Sequence, residues 1–194
     1  MPFTPYHLGP GLLIGLLFLD LIDFPTILIA SVIVDIEPFF VLIFNLDYPL
    51  HGFFHSFLGG TIVALILTLI MTKVRKYFTP IMSFFKLKQK ISFMRILLAS
   101  LIGIYVHILL DSSMYTDIRP FFPFDFNPFY RTASLLGLTE TIICIWCFIA
   151  GLIIYGIRLI IIGIKQRRKN HKVNNIKMSK VFLKIEIKNF FNLN

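Results

Sequence analysis

No lysine or arginine occurs in the first 50 residues of this 194-residue chain. A secretory leader opens on a basic stretch, so none is expected and the first apolar segment should stay in the protein. Charge is scarce throughout: 15% of residues are charged, 57% are hydrophobic and the mean hydropathy is +0.81. Soluble domains carry roughly 25% charged residues. Several runs here are apolar over the ~17–25 residues that cross a bilayer. The composition excludes an ordinary soluble domain and points to an integral membrane protein of single-domain size. Cysteine is limited to Cys144 and Cys147. Their C-x-x-C spacing falls inside an apolar run, where it reads as two small side chains on one helix face rather than a redox or zinc pair.

Acids are nearly missing where the bases gather. Seven of the 19 Lys and Arg lie between Lys73 and Arg95 and ten between Arg158 and Lys188, with Glu186 the only acid among them. Such blocks mark cytoplasmic flanks. No nucleic-acid-binding motif accompanies them, so membrane lipid is the expected partner of this charge and nucleic acid is not.

The apolar runs are Leu8 to Leu21, Thr26 to Val34, Phe39 to Leu46, Leu50 to Lys73, Ser92 to Asp111 and Leu138 to Ile164. Pro38 disfavours helical geometry at Glu37, which predicts a break there and a re-entrant or interfacial piece after it. Pro49 is expected to open the helix from Leu50. The segment from Ser112 to Arg131, rich in Pro, Phe and Asp, reads as an ordered surface loop. The expected fold is all-α and polytopic, with four to five transmembrane helices and one broken segment. Residues 1–164 would form the membrane domain and 165–194 a basic cytoplasmic tail, with a short amphipathic helix near Lys177 to Phe191. With both basic blocks cytoplasmic, His51 and His55 start one span at the outer side and His107 and Asp111 end another there. A hairpin of the first two segments brings His7, Asp35 and Glu37 to the same level, in a plasma-membrane protein whose site faces outward.

Ionisable groups on such segments are costly and are rarely there without a task. His with Asp or Glu is the ligand set of a divalent metal, zinc before manganese or iron. The candidate ligands are His7, Asp35, Glu37, His51, His55, His107 and Asp111. On a helix, the i and i+4 spacing of His51 and His55 would put both imidazoles on one face. The glutamate of an H-E-x-x-H protease is absent between them. His107 and Asp111 repeat the spacing, with the acid as ligand or orienting partner. Seven candidates exceed the four that one zinc needs, so one or two ions are expected. Glu37 and Asp111 are the candidate catalytic carboxylates, and Glu140 is a further ligand or base. Arg119 and Arg131 are the bases on the site's side, suited to clamp an anionic group of a substrate. Asp20, Asp23 and Asp47 read as interfacial or turn acids.

The order of these blocks resembles the membrane-bound metal-dependent hydrolase family, of the LexA-regulated inner-membrane type. That family's pattern is an N-terminal His, then Asp-x-Asp, His-x-x-x-His-Ser and His-x-x-x-Asp in apolar helices. Here they stand as His7, Asp35-Ile-Glu37, His51-Gly-Phe-Phe-His55-Ser56 and His107-Ile-Leu-Leu-Asp111, across about residues 5 to 125. Glu37 replaces the second Asp, and Gly52 stands where the family commonly has an Arg-Gly pair. The resemblance implies an all-helical membrane fold and a metal-dependent hydrolase, distantly similar to zinc-dependent phospholipase C and the single-strand nucleases of that fold. It favours phosphoester or lipid-linked substrates. The alternatives are a metal-ion or proton transporter using the same cluster, and a non-catalytic membrane scaffold. A carrier is expected to hold its groups near the midplane between repeated halves, and no repeat is visible.

Overall fold

A computed structural model describes residues 4–130 and 136–191. Among them every regular element is helical, and four helical stretches are long and apolar enough to cross a membrane: Phe24–Phe44, Phe57–Phe84, Phe93–Ser112 and Leu138–Met178. The protein is therefore an all-helical polytopic membrane protein. The chain divides into two compact units, 1–154 and 155–194. The second, as far as it is described, is helical throughout as the later part of α7 (Leu136–Phe191).

The first unit is built on α2 (Phe24–Ala30), α4 (Phe57–Val74) and α6 (Phe93–Ser112). The 18 residues of α4 and the 20 of α6 rise about 27 and 30 Å, which matches a hydrocarbon core of ~30 Å. Their shared core holds Ala30, Val34, Ala64, Leu67, Met71, Ile96, Ile104 and Ile108, all buried. Association inside a bilayer depends on close packing through small residues. Gly103 of α6 lies against Ala30 and the Ile27 carbonyl. The first helix, α1 (Leu8–Leu17), is only 10 residues long and covers about half the bilayer thickness. Its Gly9 meets the backbone of Cys144 so closely that a Cβ there would strike the Cys144 carbonyl.

Between Phe24 and Phe44 the chain is broken, but a turn earlier than Pro38 suggests. α2 stops at Ala30, a 3-10 turn follows at Ile33–Asp35, and α3 (Ile36–Phe44) restarts with Pro38 in its first turn. Proline is tolerated there because the missing N–H has no intrahelical partner. The expected helix start at Leu50 is also displaced. A 3-10 turn spans Phe53–His55, and α4 begins only at Phe57, where the Ser56 hydroxyl accepts the Gly59 N–H as an N-cap. A capping serine outweighs the weaker signal of Pro49.

The opposite end of these helices is fastened by polar contacts. Asp23 caps α2 through the Thr26 N–H and hydroxyl and pairs with the buried Arg75. From the basic loop between α5 (Thr79–Phe84) and α6, the Gln89 amide donates to the carbonyls of Leu19 and Ile22 and accepts from the Phe24 N–H. Asp23, read from sequence as a turn acid, is the charge that lets Arg75 be buried.

Candidate metal centre

Four side chains from three places converge at the break. Asp35 comes from the interruption of the second segment, His55 from the turn before α4, and His107 and Asp111 from the last two turns of α6. One ligand atom from each lies within 4.8 Å of all the others. Asp35 Oδ1 is 3.4 Å from His107 Nε2 and 3.9 Å from His55 Nε2, and Asp111 Oδ2 is 3.3 Å from His107 Nε2. A tetrahedral ion with bonds of about 2.0–2.1 Å holds its ligand atoms roughly 3.3 Å apart. The cluster needs little contraction to match.

Each imidazole is aimed by its other nitrogen. His55 Nδ1 is 2.9 Å from Glu37 Oε2, and His107 Nδ1 is 2.8 Å from the Ser31 carbonyl. A carbonyl only accepts, so His107 Nδ1 carries the proton and Nε2 presents its lone pair to the cluster when the ring is neutral. Glu37 does the same for His55. Both Nε2 atoms are buried without a hydrogen-bond partner. Buried polar atoms without partners are uncommon, and here two point at the same carboxylate. The charge balance agrees. Asp35, Glu37 and Asp111 form ion pairs only with histidines among the described residues. Three carboxylates in an apolar setting call for protons on the rings or for a cation.

The other three sequence candidates surround this core. Glu37 is saturated: Oε2 takes His55 and the Gly52 N–H at 3.1 Å, while Oε1 takes the Phe54 N–H at 3.2 Å and the Tyr48 hydroxyl at 3.4 Å. It stands behind His55, not among the four convergent atoms. Gly52 is needed for this arrangement, since a Cβ there would fall on the Tyr48 ring. His7 Nε2 lies 3.1 Å from Asp111 Oδ1, with its ring 4.3 Å from that of His107. Asp111 thus faces His107 with one oxygen and His7 with the other.

His51 does not share a helix face with His55, because neither belongs to α4. Their rings meet edge to face at 4.8 Å. His51 Nδ1 is 3.1 Å from both Asp117 oxygens, and its ring stacks on Tyr115 at 4.2 Å. Burial and the neighbouring His55 lower the pKa of His51 below its usual value, against the pull of Asp117. Burial, with Asp111, Asp35 and Asp117 nearby, raises the Tyr115 phenol far above its usual value. For His55, burial alone would lower the pKa, but the neighbouring carboxylates of Asp35 and Glu37 outweigh burial and raise it.

Arg119 is exposed and paired with Asp125 at 3.0 Å, and Arg131 lies outside the described residues. Glu140 is buried beside Ser113, away from the four convergent atoms. Sequence reasoning missed Asp117, Tyr115, Tyr48 and the Ser31 carbonyl. Asp117 lies 66 residues from His51, and no spacing rule links them.

Fold and site together define a polytopic helical membrane protein with a buried His/Asp cluster at a helix break. The chain belongs to the YdjM inner membrane protein family, which it matches over residues 1–182. Neither the curated proteins nor the solved structures yield a match.

Proposed function

We propose that this protein is a membrane-embedded metal-dependent hydrolase, with Asp35, His55, His107 and Asp111 holding a divalent ion, zinc by ligand type. The observation that carries the reading is the pair of buried Nε2 atoms of His55 and His107, neither of them hydrogen-bonded, that face the same Asp35 oxygen at 3.9 and 3.4 Å. An ion held there would supply a Lewis acid, able to lower the pKa of water from 15.7 to about 7. Glu37 fixes the ring of His55 and the Ser31 carbonyl fixes that of His107, so both present lone pairs. Asp111 would hold the ion together with His107 while its other oxygen stays on His7. His51, kept neutral by burial and oriented by Asp117, is placed to take or return a proton beside the cluster.

The resemblance of the ligand blocks to metal-dependent hydrolases favours a phosphoester, and the position of the site where α6 ends and α4 begins makes an interfacial or lipid-linked ester the proposed substrate class. Exposed Phe121, Phe122, Phe124 and Phe126 flank it in sequence, an apolar approach suited to an amphiphile. The basic blocks orient the chain with the loop before α6 and the tail in the cytoplasm and the site towards the outer face of the plasma membrane.

The test is metal content in a mild detergent without chelator, for the wild type and His107→Ala, followed by cleavage of chromogenic phosphodiesters and phospholipids. One or two ions per chain, lost in the variant together with cleavage, upholds the reading. No metal under any loading condition, with a folded variant, overturns it. Metal without cleavage of any ester moves the weight to transport or scaffolding.

A further inference from the structure

A second polar feature of the first unit lies outside the metal cluster. Between α6 and the start of α7 is a cavity of about 340 Å³ lined by Val106, Leu109, Leu110, Ser113, Glu140 and Ile143. Sites for small ligands occupy ~300–1,000 Å³. Four of the six lining residues are aliphatic. The polar pair is Ser113, whose hydroxyl donates to the Leu110 carbonyl and lies 2.8 Å from Glu140 Oε1. Glu140 is only 5% exposed, and its Oε2 is buried without a partner. Among the described residues its single polar contact is that hydroxyl, and none of their Lys, Arg or His side chains pairs with it.

A carboxylate oxygen in an apolar cavity lacks a hydrogen-bond donor, and when ionised it also lacks a counter-charge. The lining of the cavity says what would supply both. Ser113 follows directly on the span Phe93–Ser112, and Glu140 lies close to the start of the span beginning at Leu138. The polar end therefore sits at the membrane boundary. Val106 lies two turns deeper on α6, about 10 Å along its axis. Leu109 and Ile143 are partly exposed on the apolar surface, which opens the cavity towards lipid. A polar end at the interface and an aliphatic lining below it fit an amphiphile with a cationic, hydrogen-bond-donating head.

We propose that this cavity binds the ammonium head of an alkylammonium amphiphile, with the head on Glu140 and Ser113 and the chain along Val106, Leu110 and Ile143. The site is separate from the metal cluster and stands or falls without it.

The experiment titrates full-length protein in a neutral maltoside detergent with dodecylammonium, dodecanol and ethylammonium, reading thermal protection. Dodecylammonium is expected to protect saturably, at concentrations at least tenfold below those of the other two. Glu140→Gln should weaken dodecylammonium at least tenfold, leave dodecanol unchanged and retain the wild-type metal content. Equal protection by dodecylammonium and dodecanol, or an unchanged dodecylammonium curve in Glu140→Gln, overturns the proposal. If Glu140→Gln fails to fold, Leu109→Trp fills the cavity and should abolish protection by dodecylammonium; unchanged protection there also refutes the site. Displacement of dodecylammonium by phosphatidylethanolamine but not phosphatidylglycerol identifies a lipid head as the occupant. Displacement by neither identifies a free alkylamine, and both uphold the ammonium site.

Discussion

Replacing Glu37 by glutamine separates an orienting role from a ligating one. The wild-type carboxylate holds four donors, the closest being His55 Nδ1 at 2.9 Å. Glutamine keeps one oxygen. The side facing His55 and Gly52 carries the two shorter bonds, at 2.9 and 3.1 Å, so the amide oxygen should settle there. Its NH2 then meets the Phe54 N–H and the Tyr48 hydroxyl. The tyrosine can turn to accept, which leaves about one lost bond to a charged acceptor, ~1.5–3 kcal/mol. His55 also loses a charged partner that raises its basicity as a ligand. Loss of such an outer partner typically weakens metal binding 10–100-fold, or ~1.4–2.8 kcal/mol. Competition against a fluorescent chelator in detergent measures the affinity, and a thermal melt of the metal-free protein measures the fold. The expected result is a 10–100-fold weaker site with unchanged stoichiometry. A complete loss matching that of His107→Ala would make Glu37 a direct ligand. An affinity equal to wild type would refute the orienting role and with it the reading of this hairpin.

Metal affinity should rise with pH across the neutral range. In the metal-free protein the His55 pKa is raised, so its proton stabilises the fold below the unfolded value near 6.5, and that contribution is lost as pH rises through the folded value. A metal must displace that proton, which gives up to about tenfold in affinity per pH unit until His55 is neutral; an affinity flat between pH 6 and 8, followed by chelator competition, would count against this. His51 behaves oppositely: its pKa is lowered, so its contribution to stability is present above about 6.5 and is lost as pH falls, a loss that His51→Gln should remove from a pH series of melts. That variant should keep its metal and lose roughly 10²–10⁴-fold in turnover if His51 carries the proton. Asp23→Ala strands the buried Arg75 and should destabilise by ~3–5 kcal/mol, seen as a lower Tm, with the metal stoichiometry of the folded protein unchanged.

The residues of the cluster were legible in the sequence because each histidine and acid on an apolar segment is costly enough to need a reason. The break in the second segment was legible as well, since Pro38 cannot continue the turn before it, although its position shifted by a turn once Pro38 took the start of α3. The orientation of these side chains was not legible, and His51 shows why. The i, i+4 spacing implies a shared helix face only if the residues are helical, and Ser56 caps α4 one residue after His55. The pair is folded by a turn whose amides, Gly52 and Phe54, both donate to Glu37. Glu37 thereby builds the turn and directs His55 with the same carboxylate. The geometry of the site is set by a backbone contact that spacing rules do not describe. The two histidines are held differently: His55 is aimed into the cluster by an acid on a neighbouring segment, and His51 is turned aside by Asp117 from the loop after α6. A substitution at Asp117 should therefore alter His51 and leave the four convergent atoms in place, so Asp117→Asn is expected to lower turnover while metal content stays at the wild-type value. Loss of metal in Asp117→Asn would mean that His51 belongs to the ligand set after all, and the division between holding the ion and moving the proton would have to be redrawn.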